Sequence, residues 1–312
     1  MPTKVLVTGG AGYIGSILIP KLLDCGYEVT VVDNFMYKQT SLVENIINKN
    51  FSLVIDDVRN TSNMKKLYSK SDIIIPLAAI VGAPACEKDP ILASSINKTS
   101  VIELLTDLSQ DQVVIMPTTN SAYGSGDSNN FCDEDSPLNP LSLYAKDKVE
   151  VEKILMERGN SVSFRLATVF GLSPRMRLDL LVNNFVYRAV TDGFIVIFEG
   201  NFKRNYIHVS DVASAFLGAI QNPSNFVGDI FNVGLSEANI SKVELCEKIS
   251  KVLPFFTFLE APIGKDPDQR NYVVSNAKIE SRGFLPKVSL ELGLHELISG
   301  IKIFNNRLYS NI

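Results

Sequence analysis

Two side chains one helical turn apart point to proton transfer. Tyr144-Ala145-Lys146-Asp147-Lys148 sets a phenol and an amine at i and i+4, on one face of a helix. An ammonium beside a phenol favours the phenolate and lowers its pKa from about 10. Such a phenol can exchange a proton with an alcohol near neutral pH. Upstream, Val113-Val114-Ile115-Met116 reads as a strand that runs into Pro117-Thr118-Thr119-Asn120-Ser121-Ala122-Tyr123-Gly124. The end of such a strand is where a parallel sheet presents its ligand contacts. Thr119 is the candidate to hydrogen-bond the reacting oxygen, with Thr118 and Ser121 as alternatives.

A second constellation suits a phosphate. In Val5-Leu6-Val7-Thr8-Gly9-Gly10-Ala11-Gly12-Tyr13-Ile14-Gly15 the glycines at 9, 12 and 15 have the spacing G-x-x-G-x-x-G between a strand and a helix. Gly9 permits the tight turn, Gly12 lets a phosphate approach the backbone, and Gly15 allows helix and strand to pack closely. The helix N-terminus adds free N–H groups and partial positive charge. Asp33 ends the next strand, about 20 residues on, as a dinucleotide-binding fingerprint requires. A carboxylate there accepts hydrogen bonds from the adenosine ribose and repels a 2′-phosphate, so NAD is favoured over NADP.

The elements that must position these groups alternate. Apolar strands are predicted at Lys4–Thr8, Glu28–Val32, Ser52–Ile55, Asp72–Pro76, Gln112–Met116 and Ser161–Leu166. Helices are predicted at Tyr13–Cys25, closed by Gly26, and around 41–48, 61–69, 91–108 and 144–158. Near-continuous apolar strands between helices imply an α/β fold, a Rossmann-like doubly wound parallel sheet covered on both faces. After Gly171 the rhythm loosens. Helices near 178–191, 211–221, 241–252 and 290–303 mix with strands near 194–198, 206–209 and 229–233. Polar connections containing Pro and Gly fall at 222–229 and 261–271. The expected organisation is a cofactor domain over residues 1–171 and a smaller C-terminal α/β substrate lobe over 172–312, with some segments returning to the sheet.

Composition narrows the function classes. The 312 residues are 46% apolar and 21% charged with a net charge of −4, an ordinary globular balance. No basic stripe suggests nucleic acid, and the apolar runs at 73–75 and 194–198 are far too short to span a membrane. MPTKVLVTGG begins directly with a strand pattern, which favours a cytoplasmic protein over a secreted one. The four cysteines, Cys25, Cys86, Cys132 and Cys246, have no metal-ligand or disulfide spacing. His208 and His295 are isolated and are read as structural, so no metal site is expected.

Taken in order, GGAGYIG with Asp33, Asp56-Asp57-Val58-Arg59, Leu77-Ala78-Ala79, Asn97, Thr119 before Tyr123-Gly124, Tyr144…Lys148 and Asn205-Tyr206-Ile207-His208-Val209-x-Asp211-Val212-Ala213 resemble the extended short-chain dehydrogenases/reductases. The nearer group is the nucleotide-sugar epimerases and dehydratases, typified by UDP-galactose 4-epimerase, and the match covers nearly the whole chain. The resemblance implies that Tyr13, Ile14, Asn34 and Leu77 join the cofactor site and that Asp57 and Val58 flank the adenine. It further implies that Ala78, Ala79 and Asn97 line the cofactor and that Lys148 also holds the nicotinamide ribose. On the substrate side it implies Val81, Thr119, Ser121 and Thr168, with Arg204 and Arg270 clamping the sugar's diphosphate. Guanidinium forks suit phosphate oxygens. A homodimer through the helices near 93–109 and 144–158 is implied as well.

This chain also departs from the pattern. Nucleotide-sugar 4,6-dehydratases carry Asp-Glu after the active Thr; here Asn120 and Ser121 stand there, which disfavours dehydration. Thr168 replaces an Asn in R-x-x-N after Arg165, Pro76 replaces a His, and Val81 replaces a polar residue. Ser173-Pro174-Arg175-Met176-Arg177-Leu178-Asp179 resembles a branch that includes bacterial GDP-heptose C4-dehydrogenases, and its arginines either contact the sugar or solvate a loop. The expected activity is NAD-dependent oxidation at C4 of a nucleotide-diphosphate sugar, as a 4-epimerase or 4-dehydrogenase in surface-polysaccharide synthesis. The rivals are a reductase or dehydrogenase of a non-nucleotide alcohol or ketone, and a non-catalytic NAD-sensing protein.

Overall fold

A computed structural model of the chain describes residues 2–124, 131–262 and 270–303. Part of the predicted 261–271 connection therefore lies outside the described residues. The first half runs β1 (Lys4–Thr8), α1 (Gly15–Asp24), β2 (Glu28–Asp33), β3 (Phe51–Ile55), α2 (Thr61–Tyr68) and β4 (Ile73–Pro76). It continues through α3 (Ala83–Lys88), α4 (Pro90–Ser94), α5 (Ser100–Asp107), β5 (Val113–Thr119), β6 (Phe131–Cys132), α6 (Leu143–Arg158), β7 (Ser161–Leu166) and β8 (Thr168–Phe170). Then come α7 (Leu181–Thr191), β9 (Phe194–Ile197), β10 (Lys203–His208), α8 (Val209–Gln221), α9 (Pro223–Phe226), β11 (Asp229–Val233) and β12 (Asn239–Ser241). The chain closes with α10 (Lys242–Val252), β13 (Thr257–Glu260), β14 (Val273–Val274), α11 (Ala277–Ser281) and α12 (Leu290–Gly300).

The main sheet has seven strands, all parallel, in the order β11-β7-β5-β4-β1-β2-β3. Its order reverses between β1 and β4, the switch point outside which doubly wound sheets bind ligands. Alternate residues of each central strand face opposite helix layers, so the strands are apolar on both sides. Val5, Val7 and Ile115 pack with Leu18 and Leu22 of α1 and Val212 and Phe216 of α8. Leu6, Val114 and Met116 pack with Leu104 of α5 and Val151 and Leu155 of α6.

The second lobe has its own core, built around Phe170, Val186, Tyr206, Leu245 and Leu294. It holds a three-stranded sheet, β12-β10-β8, and the parallel pair β13-β9. The chain passes between lobes without a linker. β7 ends at Leu166 in the main sheet and β8 begins at Thr168 in the smaller one, while Ala167 donates its N–H to the Val233 carbonyl at 2.9 Å. β10 runs directly into α8, and β11 then adds to the main sheet beside β7. His208 caps α8 by accepting from the Ser210 N–H and lies 2.7 Å from Glu296, the structural role expected of it.

Two predicted helices differ. Around 41–48 there is only a 3-10 turn, Val43–Asn45, and Ile47 is 93% exposed. Only Leu42 of this stretch is buried, too little to anchor an apolar stripe, and most helical stability comes from such packing. The predicted 91–108 helix is broken into α4, a π-helical turn at Ser95–Thr99 and α5. Among the described residues, no helix is long and apolar enough to cross a membrane.

Candidate active site

The carboxyl ends of β1, β2, β4 and β5 open into one cleft of about 540 Å³, walled on the far side by the second lobe. Gly9 lies at φ +66, and a Cβ there would stand 2.5 Å from the Ala78 nitrogen. A Cβ on Gly15 would collide with the Gly10 carbonyl, so both sites admit only glycine. The turn therefore lies flat against the β4 loop and brings the start of α1, with its partial positive charge, to the cleft. Asp33 is buried with its carboxylate held in place. Oδ1 accepts from Phe35 N at 2.8 Å and Gln39 Nε2 at 3.2 Å, and Oδ2 accepts from Ala11 N at 3.0 Å. Burial pushes this carboxyl up, while those bonds and Arg175 act the other way.

Gly12, Tyr13, Ile14, Asn34, Asp57, Val58, Leu77, Ala78 and Ala79 all line the same cleft. Asn34 donates to Asp57 at 3.1 Å, and Arg59 bonds the same carboxylate at 2.8 Å, which holds it well below the usual carboxylate range. A cradle that excludes any Cβ, a helix N-terminus and an immobile carboxylate at the ribose position fit an NAD dinucleotide.

The chemical groups stand at the deeper end. Ser142 caps α6 by accepting from Ala145 N at 3.2 Å, which starts the helix one turn ahead of Lys148 and presents Tyr144 to the cleft. Lys148 is buried, with Nζ over the Tyr144 ring at 5.9 Å from its centre. The phenol differs from the sequence expectation. Burial first, then Cys86, pushes it up to about 12, and the opposing influence comes from Arg177 and Arg270. Burial also brings the Lys148 ammonium down to about 8. In this environment desolvation outweighs the ammonium–phenol attraction expected from the spacing.

Thr119 and Thr118 both border the cleft, but successive strand residues face opposite ways and their hydroxyls bond different partners. Thr119 lines the cleft, donates to Ser121 Oγ at 2.8 Å and accepts from Ser121 N at 3.1 Å. Thr118 turns its hydroxyl to Glu152 at 2.9 Å, in a buried network with Ser163 and Arg165. Thr119 is thus the better placed of the two for a ligand.

Val81, Thr168, Arg204 and Arg270 also line the cleft, and Arg204 is nearly fully buried in β10. Ser121 does not line it; it lies behind Thr119 and accepts a hydrogen bond from Arg270. Nor does Asn97. Its amide is used on the main chain of Ile80, accepting from N at 2.8 Å and donating to O at 2.8 Å. Asn97 therefore braces the loop after β4 through main-chain hydrogen bonds. Lys242, Arg175 and Arg177 are buried and line the cleft as well, although nothing in the sequence assigns any of them a single role there. The two arginines were visible in the unusual SPRMRLD run; Lys242 carried no signal beyond an ordinary helix start.

The chain matches the description "NAD dependent epimerase/dehydratase family" over residues 5–234. It is 30% identical to UDP-glucuronic acid decarboxylase 1 of Arabidopsis thaliana, covering 98% of this chain and 70% of that one. A putative UDP-glucose 4-epimerase of Methanocaldococcus jannaschii is 28% identical, covering 97% of this chain and 99% of that one. Among solved structures, UDP-glucuronic acid 4-epimerase from Bacillus cereus, in complex with UDP-glucuronic acid and NAD, is 25% identical with a TM-score of 0.82, covering 96% of this chain and 99% of that chain. With a seven-stranded doubly wound sheet, a glycine turn and a Tyr/Lys pair in one cleft, this chain is an NAD-dependent enzyme of the extended short-chain dehydrogenase/reductase type and belongs to the NAD dependent epimerase/dehydratase family.

Proposed function

We propose that the protein oxidises C4 of a nucleotide-diphosphate sugar, as a 4-epimerase or 4-dehydrogenase, in the synthesis of surface-polysaccharide sugars. The observation that carries this reading is the single cleft shared by Thr119, Tyr144 and Lys148 with Arg204 and Arg270, continuous with the glycine turn and Asp33. A hydroxyl, a phenol and two guanidiniums in one enclosure suit an alcohol attached to a diphosphate. An apolar ketone has no oxygens that match the forks of two guanidiniums.

NAD, when bound, supplies the hydride acceptor and donor and a positive charge near the phenol. Gly9, Gly12, Tyr13, Ile14, Gly15, Asp33, Asn34, Asp57, Val58, Leu77, Ala78 and Ala79 would hold it, with Tyr144 and Lys148 at its reactive end. Tyr144 takes the proton from the C4 hydroxyl, returning it if the keto sugar is reduced again and passing it to solvent if the keto sugar leaves, and Lys148 stabilises the phenolate through its charge. Thr119 orients the C4 oxygen. Arg204 and Arg270 hold the diphosphate, so that binding energy from the unreactive part of the substrate positions the sugar. Asn120 and Ser121, where an acid and a base would be needed to remove water, weigh against dehydration. The reading carries with it a substrate lobe largely after residue 171, a cytoplasmic location and a homodimer through the helices near 93–109 and 144–158. Sedimentation tests the last of these.

The decisive experiment is a panel of UDP-, GDP-, dTDP- and CDP-sugars, uronic acids included, with NMR of the products and absorbance of the cofactor. An inverted C4 marks an epimerase; reduced cofactor and a keto sugar mark a dehydrogenase. Turnover of a simple ketone or alcohol by an Arg204→Ala/Arg270→Ala variant as fast as by the parent would reject the nucleotide-sugar reading.

A further inference from the structure

The connection after β8 is stitched to the glycine turn. Ser173 Oγ donates to the Tyr13 carbonyl at 2.8 Å and lies 2.8 Å from Ser16 Oγ on α1. The Tyr13 hydroxyl donates in return to the Gly171 carbonyl at 2.7 Å. Asn183 joins both sides, donating to the Arg177 carbonyl at 2.9 Å and to the Tyr13 hydroxyl at 3.2 Å. These bonds fix residues 171–177 against the turn and bring Arg175 and Arg177 to the cleft wall, 3% and 8% exposed.

The two guanidiniums line the cleft, Arg175 acting on Asp33 and Arg177 on Tyr13 and Tyr144. Arg175 lies 4.7 Å from the centre of the Tyr37 ring, in the field of the Asp33 carboxylate. Arg177 pairs with Asp179 at 2.5 Å and exerts its field on Tyr13 and Tyr144. Two like charges in a buried wall repel each other, and Arg175 is held below its usual range by burial and then by Arg177. Two guanidinium forks on one wall can nevertheless receive the oxygens of an anion in the cleft. Residues Gly10 to Ile14 of the turn supply N–H groups but no cationic side chain of their own.

We propose that Arg175 and Arg177 grip the diphosphate of the dinucleotide from the side opposite the glycine turn. The cofactor is then clamped between main-chain N–H groups of one lobe and guanidinium forks of the other. This rests on the NAD assignment of the cleft and is independent of which sugar is the substrate.

The test is calorimetric titration of the full chain, freed of dinucleotide, with ADP-ribose and with adenosine, since only the first carries a diphosphate. Arg175→Gln and Arg177→Gln are each expected to weaken ADP-ribose about tenfold or more and to leave adenosine within about twofold. Arg175→Lys and Arg177→Lys keep the charge without the fork and decide the matter if a Gln variant folds poorly. A several-fold loss confined to ADP-ribose supports the clamp, and no such loss in any variant overturns it. Equal losses for both ligands also overturn it. So does unchanged ADP-ribose affinity with a raised KM for the nucleotide sugar, which would place the arginines on the substrate. If ADP-ribose does not bind the unaltered protein, the cofactor assignment fails first, and the clamp with it.

Discussion

Lys148 holds its amine nitrogen 5.9 Å from the centre of the Tyr144 ring, one turn away on α6. Burial acts on the two in opposite directions, raising the phenol to about 12 and lowering the ammonium to about 8. Near neutral pH the pair therefore rests as a neutral phenol beside a mostly charged amine.

Tyr144→Phe keeps the ring and removes the proton carrier. Turnover should fall by about 10²- to 10⁴-fold, the usual worth of a positioned general acid/base. Affinity for NAD, followed by calorimetry, should change little, because the glycine turn and Asp33 are untouched. Undiminished turnover would reject the assigned role.

Lys148 should cost stability for the sake of its charge. Its folded pKa of about 8 lies below the ordinary 10.5, so the unfolded chain binds more protons between those values and stability rises with pH across that window. Below pH 8 the full burial penalty is present. Lys148→Met should therefore stabilise the fold at pH 7, by on the order of 1–3 kcal/mol, with the gain vanishing above pH 10.5 and turnover lost throughout. Urea melts across a pH series read this directly, and a variant less stable than the parent at pH 7 contradicts it.

Glu152 and Arg165 form a buried ion pair at 2.7 Å, and Glu152 also accepts from Thr118 and Ser163. Glu152→Gln leaves a buried guanidinium without its counter-charge, at a cost of about 3–5 kcal/mol. Removing both charges in Glu152→Met/Arg165→Met should recover much of the loss. Chemical denaturation of the two variants measures the difference, and equal losses would show that the pair itself matters less than the packing.

Asp33→Asn exchanges a carboxylate that accepts three hydrogen bonds for an amide that cannot accept them all. NAD affinity should drop about tenfold, and the ratio of NAD to NADP affinity should fall because the charge that repels a 2′-phosphate is gone. Titration with both dinucleotides checks this. An unchanged ratio would show that Asp33 does not face the ribose.

The half of the site built on local geometry was legible in the sequence. A glycine turn needs its spacing, a helix places i and i+4 together, and a strand end exposes its last hydroxyl; Gly9, Gly15, Tyr144, Lys148 and Thr119 follow from those rules alone. Asn97 and Ser121 did not reveal their bonds to the Ile80 main chain and to Arg270, because facing a ligand and bracing a loop use the same amide or hydroxyl. The Tyr144 phenol misled for another reason: i, i+4 spacing shows a neighbouring charge but not how far both groups are withdrawn from water. Strand β8 was also hidden, since three residues directly after another strand leave no periodicity to read. That strand brings Arg175 and Arg177 back over the cofactor turn.

The passage from β7 to β8 through Ala167 alone has a consequence for dissecting the protein. A fragment ending at Gly171 would keep the glycine turn and the Tyr/Lys pair yet lose β11, leaving β7 as a bare edge. It would also strip α8 from α1, uncovering Leu18 and Leu22. Such a half-molecule should precipitate rather than act as a portable dinucleotide binder, because the two lobes share one woven fabric.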